Sequence, residues 1–361
     1  MAGSPHTAAR FAALVLPFVA WLAAPAAVPL AGQAPPSTAS RAPVSGLTTY
    51  HVQGNVWVIA GAGGNITVQA SSAKAAGPGA GEGVLLVDTG RKEMTAAVLA
   101  EIQKISPGRI EYIVNTHVDD DHVGGNEMFA KPRMDFLWTP GMVTGAGVKV
   151  VGHENVLPRM SNGPGAYPSA AWPTNTYSSA QRRLFFNDEP VVVIHAPAAR
   201  TDGDSLVFFR RSDVVATGDL FTTVMYPFID TANGGTINGY IKALNAIMDI
   251  TVPSNVNEGG TMVVPGHGRL SDEQDVIEYR DMATIVRDRI REYAKRGMTL
   301  EQVKAKKPTF DFDPRYGTDT GFWTTSMFVE TIYKEMVKEN PPAPAKGSQR
   351  NRSNQSKGSG E

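Results

Sequence analysis

His117-Val118-Asp119-Asp120-Asp121-His122 puts two imidazoles and three carboxylates within six residues. Carboxylates packed this densely repel one another unless a cation neutralises them. Imidazole nitrogen and carboxylate oxygen together suit zinc or another borderline divalent ion. The chain has no cysteine, so no thiolate can complete such a site and further ligands must be His, Asp or Glu. Later segments supply candidates: Thr217-Gly218-Asp219-Leu220, Pro265-Gly266-His267-Gly268, and the stretch from His195 to Asp204 that contains Arg200. Each is weak alone, since an Asp after Thr-Gly reads equally well as a turn residue or helix cap. Together they lend one another weight.

The elements that would position these residues are legible in the apolar runs. Ile110–Asn115 reads as a strand that delivers the His/Asp cluster at its C-terminal end. Val84–Val87 is a short, fully apolar strand ending in Asp88-Thr89-Gly90, Val214–Thr217 leads to Asp219, and Met262–Val264 leads to His267. Val191–His195 and Ser205–Arg210 flank Arg200. Further strands are expected at Thr48–Val52, Val56–Ala60, Ile66–Ala70, Val148–Val151 and Arg183–Phe186. Residues 92–104 have helical periodicity, with Met94, Val98, Leu99 and Ile102 on one face. Other helices are expected at His153–Met160, Ile237–Ile250, Asp272–Arg296, Leu300–Lys306 and Thr325–Lys338, with His153 an ordinary cap-region residue. Ser71–Gly83 is a glycine-rich loop, and Ser161–Ser179 is a long loop rich in Gly, Pro and aromatics. Tyr167, Trp172, Tyr226 and Phe228 are candidate rim aromatics. Ligands on loops at one edge of a rigid sheet can converge although distant in sequence.

With 361 residues, 42% of them hydrophobic, the chain can bury a substantial core. A formal net charge of -1 argues against a nucleic-acid partner, which calls for a basic face. At the N-terminus, Arg10 precedes an apolar run, Phe11–Ala24, that is short and interrupted by proline, and small residues follow. That pattern reads as a secretory signal peptide rather than a spanning helix. The expected organisation is a signal peptide over 1–34, a flexible Pro/Ala/Ser leader over 35–46, a domain over 47–340 and a low-complexity disordered tail over 341–361. The mature protein is expected to be periplasmic or secreted, without stable membrane association after cleavage, and to act on a small molecule.

In order and spacing, these motifs resemble the metallo-β-lactamase fold superfamily, which includes glyoxalase II and many other hydrolases. The resemblance spans roughly Leu47 to Gly268, with the C-terminal helices as an extension. It implies an α/β (α+β) four-layer αββα sandwich: two mixed sheets face to face, helices on both outer faces, and a site at the edge where strand ends meet. The superfamily motif His-x-His-x-Asp-His falls on His117, Asp119, Asp121 and His122; Asp88 matches its structural Asp, Asp219 its bridging Asp or Cys, and His267 its last His. Two positions depart, and both belong to the first metal site: Asp119 and Arg200 stand where histidines are expected, so only His117 survives there. His195 is the one histidine near enough in sequence to slide into a missing place.

The resemblance therefore implies one intact site, Asp121, His122, Asp219 and His267, with His117 as a further metal residue, holding one Zn²⁺ (iron or manganese being alternatives). Asp119 and Arg200 are expected to face each other as an ion pair in place of the first metal. With the export signal, it implies an exported metal-dependent hydrolase of an ester, thioester, lactam, lactone or phosphoester. Asp121 would be ligand and orienter, and His117 or Asp119 the general base. The alternative is a catalytically impaired binding protein in which Arg200 holds an anionic ligand.

Overall fold

The computed structural model of the chain describes residues 46–71, 82–130, 147–163, 165–256 and 259–339. The expected signal peptide, nearly all of the leader, the tail and most of the Ser71–Gly83 loop lie outside them. No helix among the described residues is long and apolar enough to cross a membrane.

Side-chain alternation decides the layers. In β4 (Val84–Val87) all four residues are buried, yet Val84 and Leu86 join one apolar cluster and Leu85 and Val87 another. In β10 (Asp204–Phe209), Leu206 and Phe208 point into a third cluster while Val207 and Phe209 share the second. A strand buried on both faces must lie between two apolar layers, because successive side chains point to opposite sides. The cluster common to both strands is the inter-sheet core.

Among the described residues the first sheet has seven strands in sequence order: β1 (Thr48–Gln53), β2 (Val56–Ala62), β3 (Gly64–Ala70), β4, β5 (Ile110–Val114), β6 (Lys149–His153) and β7 (Asn175–Tyr177). β1 to β4 run antiparallel, and β4, β5, β6 and β7 pair in parallel. The second sheet has the order β12-β11-β10-β9-β8, built from β8 (Gln181–Phe186), β9 (Glu189–Ala196), β10, β11 (Val214–Ala216) and β12 (Met262–Val264). Its one parallel pair is β11 with β12. Helix α1 (Thr95–Ile105) packs Val98 and Ile102 on the outer face of the first sheet. Helices α5 (Ile237–Met248), α6 (Glu273–Lys295) and α9 (Thr325–Glu339) cover the second. The layers are α, β, β, α, as expected.

The remaining helices are short: α2 (Asp120–Val123), α3 (Asn126–Ala130), α4 (Val156–Ser161), α7 (Leu300–Ala305) and α8 (Asp313–Tyr316). The expected helix at His153–Met160 begins three residues later, because β6 continues to His153, which pairs with Tyr177 of β7. The long loop expected over Ser161–Ser179 contains β7, a strand too short to leave a periodic signature.

Away from the strand ends that carry the His/Asp cluster, Glu189 ties the two sheets together. It is fully buried, and its carboxylate accepts from Arg211 N (2.9 Å), Ser212 N (2.5 Å), Ser212 Oγ (3.2 Å) and, across the sheets, Gln69 Nε2 of β3 (2.8 Å). Glu189→Gln keeps the shape but turns an amide toward donors. It should lower the unfolding free energy by roughly 1–3 kcal/mol, read from denaturant midpoints, with ligand binding at the opposite edge intact.

Candidate metal centre and cleft

Parallel pairing puts strand ends at one edge. β4 ends just before Asp88 and β5 leads to His117 and α2; β11 ends before Asp219 and β12 before His267. Because β10 runs antiparallel to both β9 and β11, the β9–β10 loop carrying Arg200 lies at that same edge. Backbone bonds lock the two sheets in register there: Ser205 N donates to Thr116 O (2.8 Å) and Asn65 N to Gly266 O (2.8 Å). The Asn65 side chain also donates to Pro265 O (2.9 Å) and Gly268 O (3.1 Å), bracketing His267.

Each ligand-type side chain has a local reason for its place. α2 is one turn, so Asp121 and His122 are adjacent on it, and Asp119 at its N-cap makes no capping bond, leaving its carboxylate for another partner. Asp88 adopts a left-handed backbone (φ 62°), which Asp tolerates better than most residues. Its carboxylate accepts from Thr116 N (2.8 Å) and Thr116 Oγ1 (2.7 Å), and meets His122 Nδ1 at 2.7 Å. That contact orients the ring so that Nε2 faces the centre, as a carboxylate behind a metal-binding imidazole does. Two glycines make room. A Cβ on Gly64 would lie 2.5 Å from His122 Cε1, and one on Gly266 would lie 2.1 Å from Asp219 Oδ1.

Four atoms converge. His122 Nε2 is 3.2 Å from Asp219 Oδ1 and 3.5 Å from His267 Nε2; His267 Nε2 is 3.5 Å from Asp219 Oδ1 and 3.4 Å from Asp121 Oδ2. A tetrahedron with metal–ligand bonds of about 2.0–2.1 Å has edges of about 3.3–3.4 Å. Asp219 Oδ1 is buried and accepts no hydrogen bond. Burial works against charge on both Asp219 and His122, but they support each other: His122, and with it Arg200, hold the Asp219 carboxyl well below its ordinary range, while Asp219 and Asp88 hold His122 well above. The two imidazole nitrogens and the Asp219 oxygen at this spacing, with the Asp121 oxygen next to His267, fit one divalent ion, whose charge would replace the His122 proton.

The neighbouring position is occupied by protein. Arg200 is buried, at 2% exposure; its Nη2 donates to Asp119 Oδ2, its Nε lies 3.5 Å from Asp219 Oδ2, and its guanidinium sits 4.7 Å from the centre of the Phe228 ring. His117 Nε2, also buried, lies 3.6 Å from Asp219 Oδ2 and 3.8 Å from Asp119 Oδ2 and makes no hydrogen bond. Burial, then the nearby His122 and Arg200, hold His117 well below its ordinary range, so it is neutral. The expected Asp119–Arg200 pair is thus formed. Arg200 faces two carboxylates but hydrogen-bonds only Asp119, its Nε and Nη1 making no hydrogen bond.

His195 does not enter the site. Its Nε2 meets Asp202 O at 2.8 Å, and its ring stacks on His153 at 3.6 Å with an interplanar angle of 11°. His153, expected as an ordinary cap-region residue, is instead a buried strand residue. Beside the Asp119–Arg200 pair, which lines it, a cleft of about 560 Å³ opens between a polar wall that includes Arg91, Asp119 and Asp121 and an apolar wall of Val224, Phe228 and Phe322, with Tyr167 at its side. Of the candidate rim aromatics, Tyr226 is instead buried against Phe328, and Trp172 donates Nε1 to Tyr167 O. Arg91 and Phe322 were not singled out in the sequence, because neither belongs to a ligand motif.

Two outcomes follow. Arg200→His alone should lower stability by up to roughly 3 kcal/mol, and Asp119→His alone by less, since Asp119 is about a third exposed; the double variant should bind two zinc ions per chain, read by elemental analysis. Singles as stable as wild type would contradict the pairing. For the stacked histidines, burial first and His195 second push the His153 pKa down from 6.5. The unfolded chain then binds more protons there, so stability is full above about pH 6.5 and falls on acidification. Thermal melts between pH 7 and pH 5 should show a shallower decline in His153→Phe than in wild type.

A family model described as "Metallo-beta-lactamase superfamily" matches residues 79–135. No curated protein matches the chain. Among solved structures, the inverting sec-alkylsulfatase Pisa1 from Pseudomonas sp. is similar at 13% identity with a TM-score of 0.55, over 80% of this chain and 50% of that one. A double mutant of that sulfatase gives 14% identity and a TM-score of 0.58, over 82% and 52%. A metallo-β-lactamase from Pontibacter korlensis overlaps at a TM-score of 0.48 and 18% identity, over 66% of this chain and 99% of that one. The chain thus spans about half the length of the sulfatase. The matched segment, which carries Asp88 and the His117–His122 motif, and the four-layer topology together give this chain the metallo-β-lactamase superfamily fold.

Proposed function

We propose that the protein is an exported hydrolase that works with one divalent ion, zinc first, held by Asp121, His122, Asp219 and His267. One observation carries this reading: His122 Nε2, Asp219 Oδ1 and His267 Nε2 stand 3.2–3.5 Å apart beside a cleft, with Asp121 Oδ2 3.4 Å from His267 Nε2. A bound ion would supply a Lewis acid and bring the pKa of water from 15.7 toward about 7.

The remaining work falls to the protein. Asp119 lines the cleft and is about a third exposed, whereas His117 is buried at 2% and is not among the cleft's lining residues. Asp119 is therefore the group placed to take a proton from a cleft water, and Arg200 holds it in position. His117, neutral and buried behind it, packs the position without needing a charge partner. Asp88 fixes the His122 ring, and Tyr240 Oη donates to the Asp219 carbonyl (2.6 Å), fixing the turn that presents Asp219. Esters, thioesters, lactones, lactams and phosphoesters are the substrate classes, and the similarity to a sulfatase adds sulfate esters to the assay panel. Export rests on the apolar run Phe11–Ala24; a mature N-terminus beyond it on the secreted protein would support it.

The two replaced histidines favour a second reading, a binding protein without turnover. Purified protein should hold one zinc per chain. His267→Ala should reduce this below a tenth, and Asp88→Asn should weaken zinc affinity about 10- to 100-fold. Asp119→Asn should keep the zinc but lower kcat by about 10²–10⁴. Two tightly bound equivalents in wild type would overturn the single-ion reading, and persistent inactivity of the zinc-loaded protein across the panel would favour the binding protein.

A further inference from the structure

The apolar wall of the cleft is fixed in place and left in water. Phe322 is 70% exposed and Val224 54%, although both border the candidate centre. Neither belongs to a loose loop. Phe322 rests edge-on against Phe228 (5.6 Å, 84°), Phe228 packs against Trp323 (4.9 Å, 71°), and Trp323 Nε1 donates to Pro227 O (3.1 Å). Beneath them Tyr226 stacks on Phe328 of α9 (4.7 Å, 13°) and donates to Asp313 Oδ1 (2.8 Å). The segment before α9 is thus bolted to the segment after Asp219, and the two build the wall together. Large apolar side chains exposed in a cleft beside convergent polar groups are the usual form of a binding surface for an apolar group.

The charges narrow the head group. Asp119, Asp120, Asp121 and Asp219 line the cleft against Arg91 and Arg200, so aspartates outnumber arginines by two, a balance that one divalent ion would bring to zero. Arg200 is buried on Asp119, and Arg91 lies 3.9 Å from Asp121. Each arginine of the lining thus already faces an aspartate, although Arg200 Nε and Nη1 make no hydrogen bond, so a sulfate or phosphate would have to compete with a carboxylate for either one. Resting on the hydrolase reading, we propose that the substrate is an uncharged carboxylic ester or lactone whose apolar arm lies against Val224, Phe228 and Phe322.

The test compares p-nitrophenyl acetate, butyrate and octanoate on the zinc-loaded protein, with calorimetric binding of acetamide, octanamide and octyl sulfate as a readout free of turnover. Complete burial of a methylene would give a factor of about three to four, so on this half-open wall kcat/KM should rise about two- to threefold per methylene until the wall is covered. Octanamide should bind more tightly than acetamide and than octyl sulfate. Phe322→Ala should lower the octanoate-to-acetate ratio of kcat/KM and octanamide affinity about tenfold, and Phe322→Leu should restore most of both. If no ester turns over but octanamide binding still depends on Phe322, the hydrolase reading falls and the apolar subsite stands. Turnover without chain-length preference would overturn the apolar arm, and tighter binding of octyl sulfate than octanamide would overturn the uncharged head.

Discussion

The site depends on one carboxylate with two neighbours of opposite charge. Asp219 lies at the meeting of the two sheets, and its oxygens face different ways: Oδ1 toward His122 and His267, Oδ2 toward Arg200 and His117. A buried carboxylate is tolerated only when its charge is compensated nearby, because moving an ion out of water costs several kcal/mol even after relaxation. Asp219 therefore demands positive charge on both sides. One side is met by His122 with a proton, or by a metal in its place. The other is met by a guanidinium that cannot leave.

This constraint explains why the two departures from the superfamily pattern occur together. Exchanging a histidine for Asp119 adds a negative charge to a crowded acidic pocket. Placing Arg200 across from it neutralises that charge and keeps a cation beside Asp219 Oδ2. The Phe228 face further accommodates the guanidinium, whose flat, weakly hydrated surface suits an aromatic ring better than an ammonium would. What persists is the field that a first metal would impose on Asp219. On the single-ion reading an exchangeable coordination position is given up, since a guanidinium can donate hydrogen bonds but cannot accept a ligand oxygen into an inner shell.

The parts legible in the sequence are those written in contiguous residues. Apolar runs ending in Asp88, His117, Asp219 and His267 marked strands, and the parallel pairs β4–β5 and β11–β12 explain why those ends meet at one edge. The Asp119–Arg200 pair could be anticipated because both replacements fell on one ligand set. Contacts between distant segments were not legible. Gly64 looks like any turn glycine until the His122 ring is seen against it, and Asn65 brackets His267 from about two hundred residues away. Arg91 follows an unremarkable turn. His153 was misplaced because Val-Gly-His-Glu-Asn can end a strand or begin a helix, and only pairing with Tyr177 decides between them.

The C-terminal helices bear on the site as well as the core. Tyr240 of α5 donates to the carbonyl of Asp219 itself, and Tyr279 of α6 donates to Met225 O in the cleft wall (3.0 Å). Both hydroxyls are buried, and burial holds each well above the ordinary phenol range, so each remains a donor. Around them α5, α6 and α9 share one apolar cluster with β9 to β12. Loosening α9 would therefore reach the centre by two routes: through Phe328 and Tyr226 to the apolar wall, and through α6 and α5 to the carbonyl that orients Asp219. A close-packed interior transmits such shifts because it has little free volume to absorb them. The helices beyond His267 thus act on both halves of the cleft, setting its apolar wall and steadying the carboxylate on which its charge balance turns.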